Sequence, residues 1–167
     1  MRKALASIWA QQGCPLPVHV IVVDDASPAP VDPELAAAAP IHHSVQVIVQ
    51  PNAGPGTARN TGLDNASLDT RYVAFVDSDD EWTPDHLARA VAALECGYDF
   101  YFADHYQLNQ TITAFVRAGR IQIEEHPLLS IPVGGLHAYQ GDMLDQIIRG
   151  NLIGTSTVVY DFTRFAA

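Results

Sequence analysis

The hydrophobic pattern along the chain switches between two periods. Leu5, Ile8 and Trp9 recur at helical spacing over residues 2–12, and Gly13 follows as a stop signal. Residues 18–23 form a β-branched run broken only by His19 and ended by Asp24-Asp25. Continuous apolar runs of this kind belong to strands buried on both faces. Pro28, Pro30 and Pro33 then interrupt the chain before a short alanine-rich stretch, residues 35–39. A second run at 45–49 leads into Pro51-Asn52-Ala53-Gly54-Pro55-Gly56, a loop by its turn chemistry, and residues 57–66 predict a helix. A third buried strand at 72–76 ends in Asp77-Ser78-Asp79-Asp80-Glu81.

Thr83 as N-cap, Pro84 at the first helical position and Asp85 beside the dipole predict the start of the next helix. Leu87, Val91 and Leu94 supply its apolar face and Gly97 its end. Residues 99–106 predict a fourth strand. Beyond them the pattern predicts a hairpin of 111–116 and 120–123 across Ala118-Gly119, a short helix at 142–149 and a last strand at 155–160. Strand–helix alternation through residue 106 implies an α/β fold, a mostly parallel sheet flanked by helices. Ligands of such sheets sit beyond the carboxyl ends of the strands. Two of the first three strands end there in acidic clusters and the remaining one in a glycine-rich loop.

Composition narrows the classes. At 167 residues the chain suits a single domain. With 48% hydrophobic and 17% charged residues it is no disordered acidic tail. Nine basic residues against nineteen acidic ones give a net charge of −10, with Lys3 the lone lysine. No basic stripe exists to neutralise phosphates, which argues against nucleic acid as a partner. Cys14 and Cys96 form neither a disulfide framework nor a metal spacing and read as buried free thiols of a reducing compartment. No apolar run reaches the ~18 residues of a membrane span. These features predict a cytoplasmic protein.

The candidate chemistry lies in the three strand ends. Asp77 and Asp79 flank Ser78, a spacing able to hold Mg²⁺ or Mn²⁺ with substrate phosphates completing the shell; the alternative is an acidic turn capping the next helix. Gly54 and Gly56 let backbone amides approach an anion, and Arg59 lies about one turn into the helix, able to face the same way; the alternative is a plain loop with a surface arginine. Asp25 can accept hydrogen bonds from a nucleobase imide or a sugar hydroxyl, or form a solvated turn. The seven histidines show no i,i+4 metal pair, and no nucleophile elbow is present.

Taken together, these stretches resemble family 2 of the glycosyltransferases, an inverting group with the GT-A nucleotide-binding fold. The resemblance rests on Val22-Val23-Asp24-Asp25-Ala26-Ser27, on residues 52–62, on Phe75-Val76-Asp77-Ser78-Asp79-Asp80-Glu81-Trp82 with Pro84, and on residues 150–157. It covers nearly the whole chain as one domain: 1–106 a nucleotide-sugar-binding half and 107–167 a partial acceptor-side half. It implies a hexosyltransferase-type enzyme moving sugar from a nucleotide-diphosphate donor, UDP by family habit, to a hydroxyl acceptor such as a glycan, lipid or polyol. Asp25 would contact the base and Arg59 the diphosphate, beside Gly54 and Gly56. Asp77 would lie by the ribose or metal and Asp79 would ligate Mn²⁺ or Mg²⁺, the DxD motif. Asp104 falls near the acceptor.

Two departures accompany the match. The family's apolar strand before the first helix, a central one, has no counterpart here. The family's acidic base comes beyond residues 151–157, so no catalytic residue is assigned, and Asp161 comes too early. A fragment truncated at both ends, with donor binding and little or no turnover, is therefore expected, with any contact to the inner face of the membrane made through other parts or partners. The rival readings are an inactive binding or scaffold module of the same fold and a receiver-type phosphoacceptor domain. Receivers need a lysine after their last strand, and Lys3 is far from one.

Overall fold

The computed structural model describes residues 1–29, 31 and 43–165. The alanine-rich stretch at 35–39 lies outside the described residues. Helix α1 spans Arg2–Trp9, followed by strand β1 at His19–Asp24 and strand β2 at Ser44–Val49. Helix α2 spans Pro55–Asp64, strand β3 Tyr72–Ala74, helix α3 His86–Glu95 and strand β4 Phe100–Phe102. Short helices α4 at Ala114–Ala118 and α5 at Met143–Ile148 precede strand β5 at Val158–Asp161.

Strands β1 and β2 pair in parallel in a register that sets Val22 opposite Val47. β5 lies between β3 and β4 and runs antiparallel to both, so β3 and β4 point the same way. The α/β fold therefore forms as expected, with β5 as the reversed strand. Side chains alternate across β1. Val22 packs with Leu5 and Ile8 of α1, while the methyl of Val23 faces Gly62 of α2. Helix α3 buries Leu87, Ala90 and Leu94 against Val159 of β5, with Tyr72, Ala74, Trp82 and Tyr101 around them.

Among the described residues β1 pairs along one edge alone, with β2, and β3 along one edge alone, with β5. Between them lies a slot of about 810 Å³ lined by the consecutive residues 17–23 and 71–78, with Leu5 and Ile8 of α1 and Leu63 of α2 beside it. The resemblance leads to the expectation of a missing central strand, and among the described residues no strand bridges β1 and β3.

Several local expectations are corrected. The predicted hairpin at 111–116 and 120–123 is instead α4, followed by a turn of 3₁₀ helix at Ile123–Glu125. Gly119 sits at φ 62° and its N–H bonds the Phe115 carbonyl, so it ends a helix rather than turning a hairpin. Helix α3 starts at His86 rather than Pro84, because Thr83 and Asp85 first form a turn in which the Thr83 hydroxyl donates to Asp85 Oδ1 at 2.9 Å. The fourth strand is confined to Phe100–Phe102 and the last strand is preceded by a 3₁₀ turn at Thr155–Thr157. Cys96 is exposed rather than buried.

Candidate functional site

The amino-terminal half of α2 is tied at two points to the carboxyl ends of β1 and β3. The first tie is Asp25. Its Oδ1 accepts from Gln50 Nε2 at 2.7 Å and from the Ala53 N–H at 2.9 Å, and its Oδ2 from the Gly54 N–H at 2.8 Å. The Ala53 amide and then Gln50 hold the Asp25 carboxyl below its usual value despite partial burial, with Gly54 adding to them. Gln50 is itself held by the Thr61 hydroxyl at 2.6 Å, which links the end of β2 to α2. Asp25 is thus no solvated turn. It organises the loop in front of α2.

Its neighbour Asp24 is buried and accepts from the Ser27 N–H at 2.8 Å, which keeps that carboxyl low as well. Ala26 between them takes φ 62°, a left-handed conformation that costs a residue with a Cβ about 1 kcal/mol or more. Asp24 spans that strained corner to Ser27, while Asp25 just before it ties the chain to the loop ahead of α2.

The second tie is Arg59, whose Nη2 donates to Asp77 Oδ1 at 2.9 Å. The predicted diphosphate ligand and the predicted metal ligand therefore meet each other directly. The Asp77 N–H donates to Ser156 Oγ at 2.9 Å, while Ser156 O accepts from Trp82 Nε1 at 2.6 Å. The Trp82 N–H donates to Ser7 Oγ at 3.1 Å. Residues 77–82 are thereby fastened to α1 and to the turn before β5, with Asp79 exposed on the loop and without a side-chain partner among the described residues. The loop does not cap α3, whose N-cap is Asp85.

Gly54 stands at φ 86° as the N-cap of α2, and a Cβ on it or on Gly56 would meet nothing within 4 Å. The space over this helix start is open. The first-turn amides of Gly56 and Thr57 have no intrahelical carbonyl to reach. Such amides, with Arg59 one turn on, suit a negatively charged group.

Asp104 is placed otherwise. Its Oδ1 accepts from the His105 N–H at 2.8 Å and the Phe115 N–H at 3.0 Å, so it fixes the start of α4. Asp104→Ala should destabilise the fold by about 0.5–2 kcal/mol, the usual loss for a helix-start acceptor. Nucleotide titration of the variant should read the same affinity as the parent if that is the main role of Asp104. Asp161 closes β5 at the opposite edge of the sheet, paired in register with Tyr72, and is buried between Arg71 and Arg164. It is remote from the Asp77 end of β3.

The sequence pointed to Asp25, Gly54, Gly56, Arg59, Asp77 and Asp79, and the structure brings them to one edge. It did not point to Gln50, Thr61, Ser7 or Ser156, which position them. Gln50 directly after an apolar strand was the available signal for the first pair.

No group of three or more histidine, cysteine or acidic side chains able to hold a metal occurs among the described residues. The two carboxylates of Asp77 and Asp79 remain compatible with an ion that takes one or two protein carboxylates and draws its other ligands from water and phosphate. No described helix is long and apolar enough to cross a membrane.

The sequence profile of glycosyl transferase family 2 matches residues 1–153. The chain belongs to glycosyl transferase family 2. Among curated relatives it is 53% identical over 95 residues to succinoglycan biosynthesis protein ExoW of Rhizobium meliloti, covering 56% of this chain and 29% of that protein. It is 42% identical over 89 residues to succinoglycan biosynthesis protein ExoO of the same organism, covering 53% of this chain and 24% of the relative. Glycosyltransferase GlyA of Streptococcus pneumoniae is 33% identical over 112 residues, 66% of this chain and 16% of its own length. The chain thus spans less than a third of the length of each of these three relatives.

Proposed function

We propose that residues 1–167 bind a nucleoside diphosphate sugar through a divalent ion, as the donor half of an inverting transfer to a hydroxyl acceptor. The observation that carries this reading is the tie of α2 to both strand ends, Asp25 on the Gly54 amide and Arg59 on Asp77, with Asp79 exposed beside it. Asp77 and Asp79 would hold Mn²⁺ or Mg²⁺, which supplies charge neutralisation to a diphosphate. Arg59 would turn from Asp77 to the phosphates when the ion takes over that carboxylate. The open helix start at Gly54 and Gly56 would receive a phosphate oxygen, and Asp25 would act by holding the loop rather than by offering a free oxygen to the base. The likeness to succinoglycan biosynthesis proteins favours a glycan acceptor.

Thermal denaturation with UDP and Mn²⁺ tests this. At a hundred times Kd the pair should stabilise the chain by about 2.7 kcal/mol. That corresponds to roughly 5–10 °C for a domain of this size. Either ligand alone should do little, and Asp79→Ala should lose the joint effect while melting like the parent. A cooperative melt with no shift by UDP, GDP or dTDP in the presence of Mn²⁺ would favour the scaffold reading. An unchanged shift in Asp79→Ala would remove the ion from the site.

A further inference from the structure

We propose that α5 is a self-association surface, on which a second copy of this chain docks with its own α5 antiparallel about a two-fold axis. The first observation is that α5 is turned inside out. It carries Leu144, Ile147 and Ile148 at i, i+3 and i+4, a spacing that gathers them on one face. That face is the solvent side, with the three side chains 65%, 53% and 75% exposed. The side turned to the body holds Met143 and Gln146, both half-buried. Gln146 Oε1 is buried there without a hydrogen-bond partner among the described residues. A surface helix ordinarily does the reverse, with its apolar stripe to the core and its polar residues to water.

The second observation is that the helix is fixed in this orientation. At its start Asp142 Oδ1 accepts from the Asp145 N–H at 3.0 Å. At its end Arg120 donates through Nη1 to the Gln146 carbonyl at 3.3 Å and through Nη2 to the Gly150 carbonyl at 2.7 Å. Rolling the stripe inward would break both bonds from Arg120. The stripe therefore stays in water, and contiguous exposed apolar surface marks a place of contact.

The third observation is charge, which selects the occupant. Asp145 and Arg149 run along one flank of the stripe, 2.7 Å apart, with Asp142 at the N-cap. Two copies set antiparallel about an axis near Gln146 bring Leu144 of each against Ile148 of the other and the two Ile147 side chains together. Arg149 of each copy then lies beside Asp142 and Asp145 of the other, so the surface is complementary to itself, as a two-fold contact requires. The opposed helix dipoles favour the same direction. With Arg120 docked on it, α5 has two basic and two acidic side chains, so the net charge of −10 on each copy is not presented at this face. A bilayer fits less well, because helices that lie in the membrane interface are rich in lysine and arginine on their polar face. Here carboxylates border the stripe. The contact is small, below about 1,200 Å² in total, and corresponds to a weak dimer with a Kd on the order of 10–100 μM. This inference is independent of the nucleotide reading, and its test contains no nucleotide.

Sedimentation velocity of the chain over roughly 5–500 μM brackets that constant. The weight-average mass should climb from 18.1 kDa toward twice that value. Ile148→Lys should hold it at the monomer value throughout while melting like the parent, since surface substitutions change stability little. Arg149→Asp and Asp145→Arg should each weaken pairing by about fivefold or more when alone. An equimolar mixture of the two should recover it, because each supplies the charge that the other lacks. A cross-link gives a measurement that does not depend on those variants. In a Cys96→Ser background, Ile147→Cys should yield a covalent dimer with a short bismaleimide, and Leu68→Cys, fully exposed ahead of β3, should not. Three results would overturn the proposal. One is a mass of 18.1 kDa across the whole range. Another is association that Ile148→Lys leaves intact or that Leu68→Cys captures as well as Ile147→Cys. The last is a monomer that sediments with phosphatidylcholine vesicles and loses them in Ile148→Lys, which would make a bilayer the occupant.

Discussion

Lowering the pH from 7 to 4 should destabilise this fold by on the order of 3 kcal/mol through a single histidine, and His86→Phe should abolish most of that loss. His86 opens α3 and is buried, stacked on Trp82 at 4.8 Å and edge-on to Tyr101 at 5.5 Å. Burial pulls its pKa down from 6.5 to about 4, and the nearby Asp85 carboxylate opposes that only in part. The folded pKa lies below the unfolded one. Above pH 6.5 neither state takes the proton and the fold has its full stability. Between 6.5 and about 4 the unfolded chain binds the proton first, and stability falls by about 1.4 kcal/mol per pH unit.

The carboxylates titrate in another window. Asp24, Asp25 and Asp69 are held below their usual 3.8 by hydrogen bonds, so their contribution is present above that value and disappears only in stronger acid. Melting temperature against pH should therefore show a slope between 6.5 and 4 that belongs to His86 and a separate fall below 4. Each kcal/mol corresponds to roughly 2–4 °C at this chain length. An equal slope in His86→Phe would assign the acid sensitivity to another group.

What the sequence made legible was what short-range chemistry decides. The β-branched runs gave β1 and β2, and the Gly54-Pro55-Gly56 loop gave the entry to α2 within two residues. The convergence of Asp25, Arg59 and Asp77 on one edge followed from topology, because parallel strands in alternation with helices end on the same side. Their pairing with one another did not follow. Whether a carboxylate meets a ligand or an arginine eighteen residues away depends on how α2 packs, and periodicity carries no record of that.

α4 fails for a related reason. Its start is fixed by Asp104, whose carboxylate reaches the amide of Phe115 eleven residues on. A left-handed glycine such as Gly119 serves a hairpin and a helix end equally well, so the local signal was ambiguous. The direction of β5 was likewise open, since a long stretch carrying only the short helices α4 and α5 separates it from β4. The contacts that support the acidic loop, Ser156 to Asp77 and Trp82, span more than seventy residues. They became visible only once β5 was seated between β3 and β4.

Trp82 is where the support of the site and the core coincide, and its truncation should have the larger effect on stability. It packs against the cluster of Leu87, Ala90, Leu94 and Val159 and against that of Leu5, Ile8 and Val22, and its indole N–H holds the carbonyl of Ser156. Trp82→Ala should cost about 3–5 kcal/mol, the range for large aromatic truncations in a core. It should also open His86 to water, raise that histidine toward 6.5 and shrink the acid-sensitive slope along with total stability. The coupling is measurable as a difference between the pH profiles of the two single variants and the double variant.

Trp82→Phe isolates the other half of the role. It keeps most of the ring and loses only the donor to Ser156, so about 1 kcal/mol of stability should go. Ser156 holds the Asp77 amide, and the loop carrying Asp77 and Asp79 should loosen with it. UDP affinity in the presence of Mn²⁺ should then fall several-fold to tenfold, a change of up to about 1.4 kcal/mol, while UDP alone stays without effect. Lost stability with unchanged affinity would show that residues 77–79 hold their geometry without Trp82. A loss of both would place the indole N–H in the chain of contacts that keeps the two carboxylates at the end of β3.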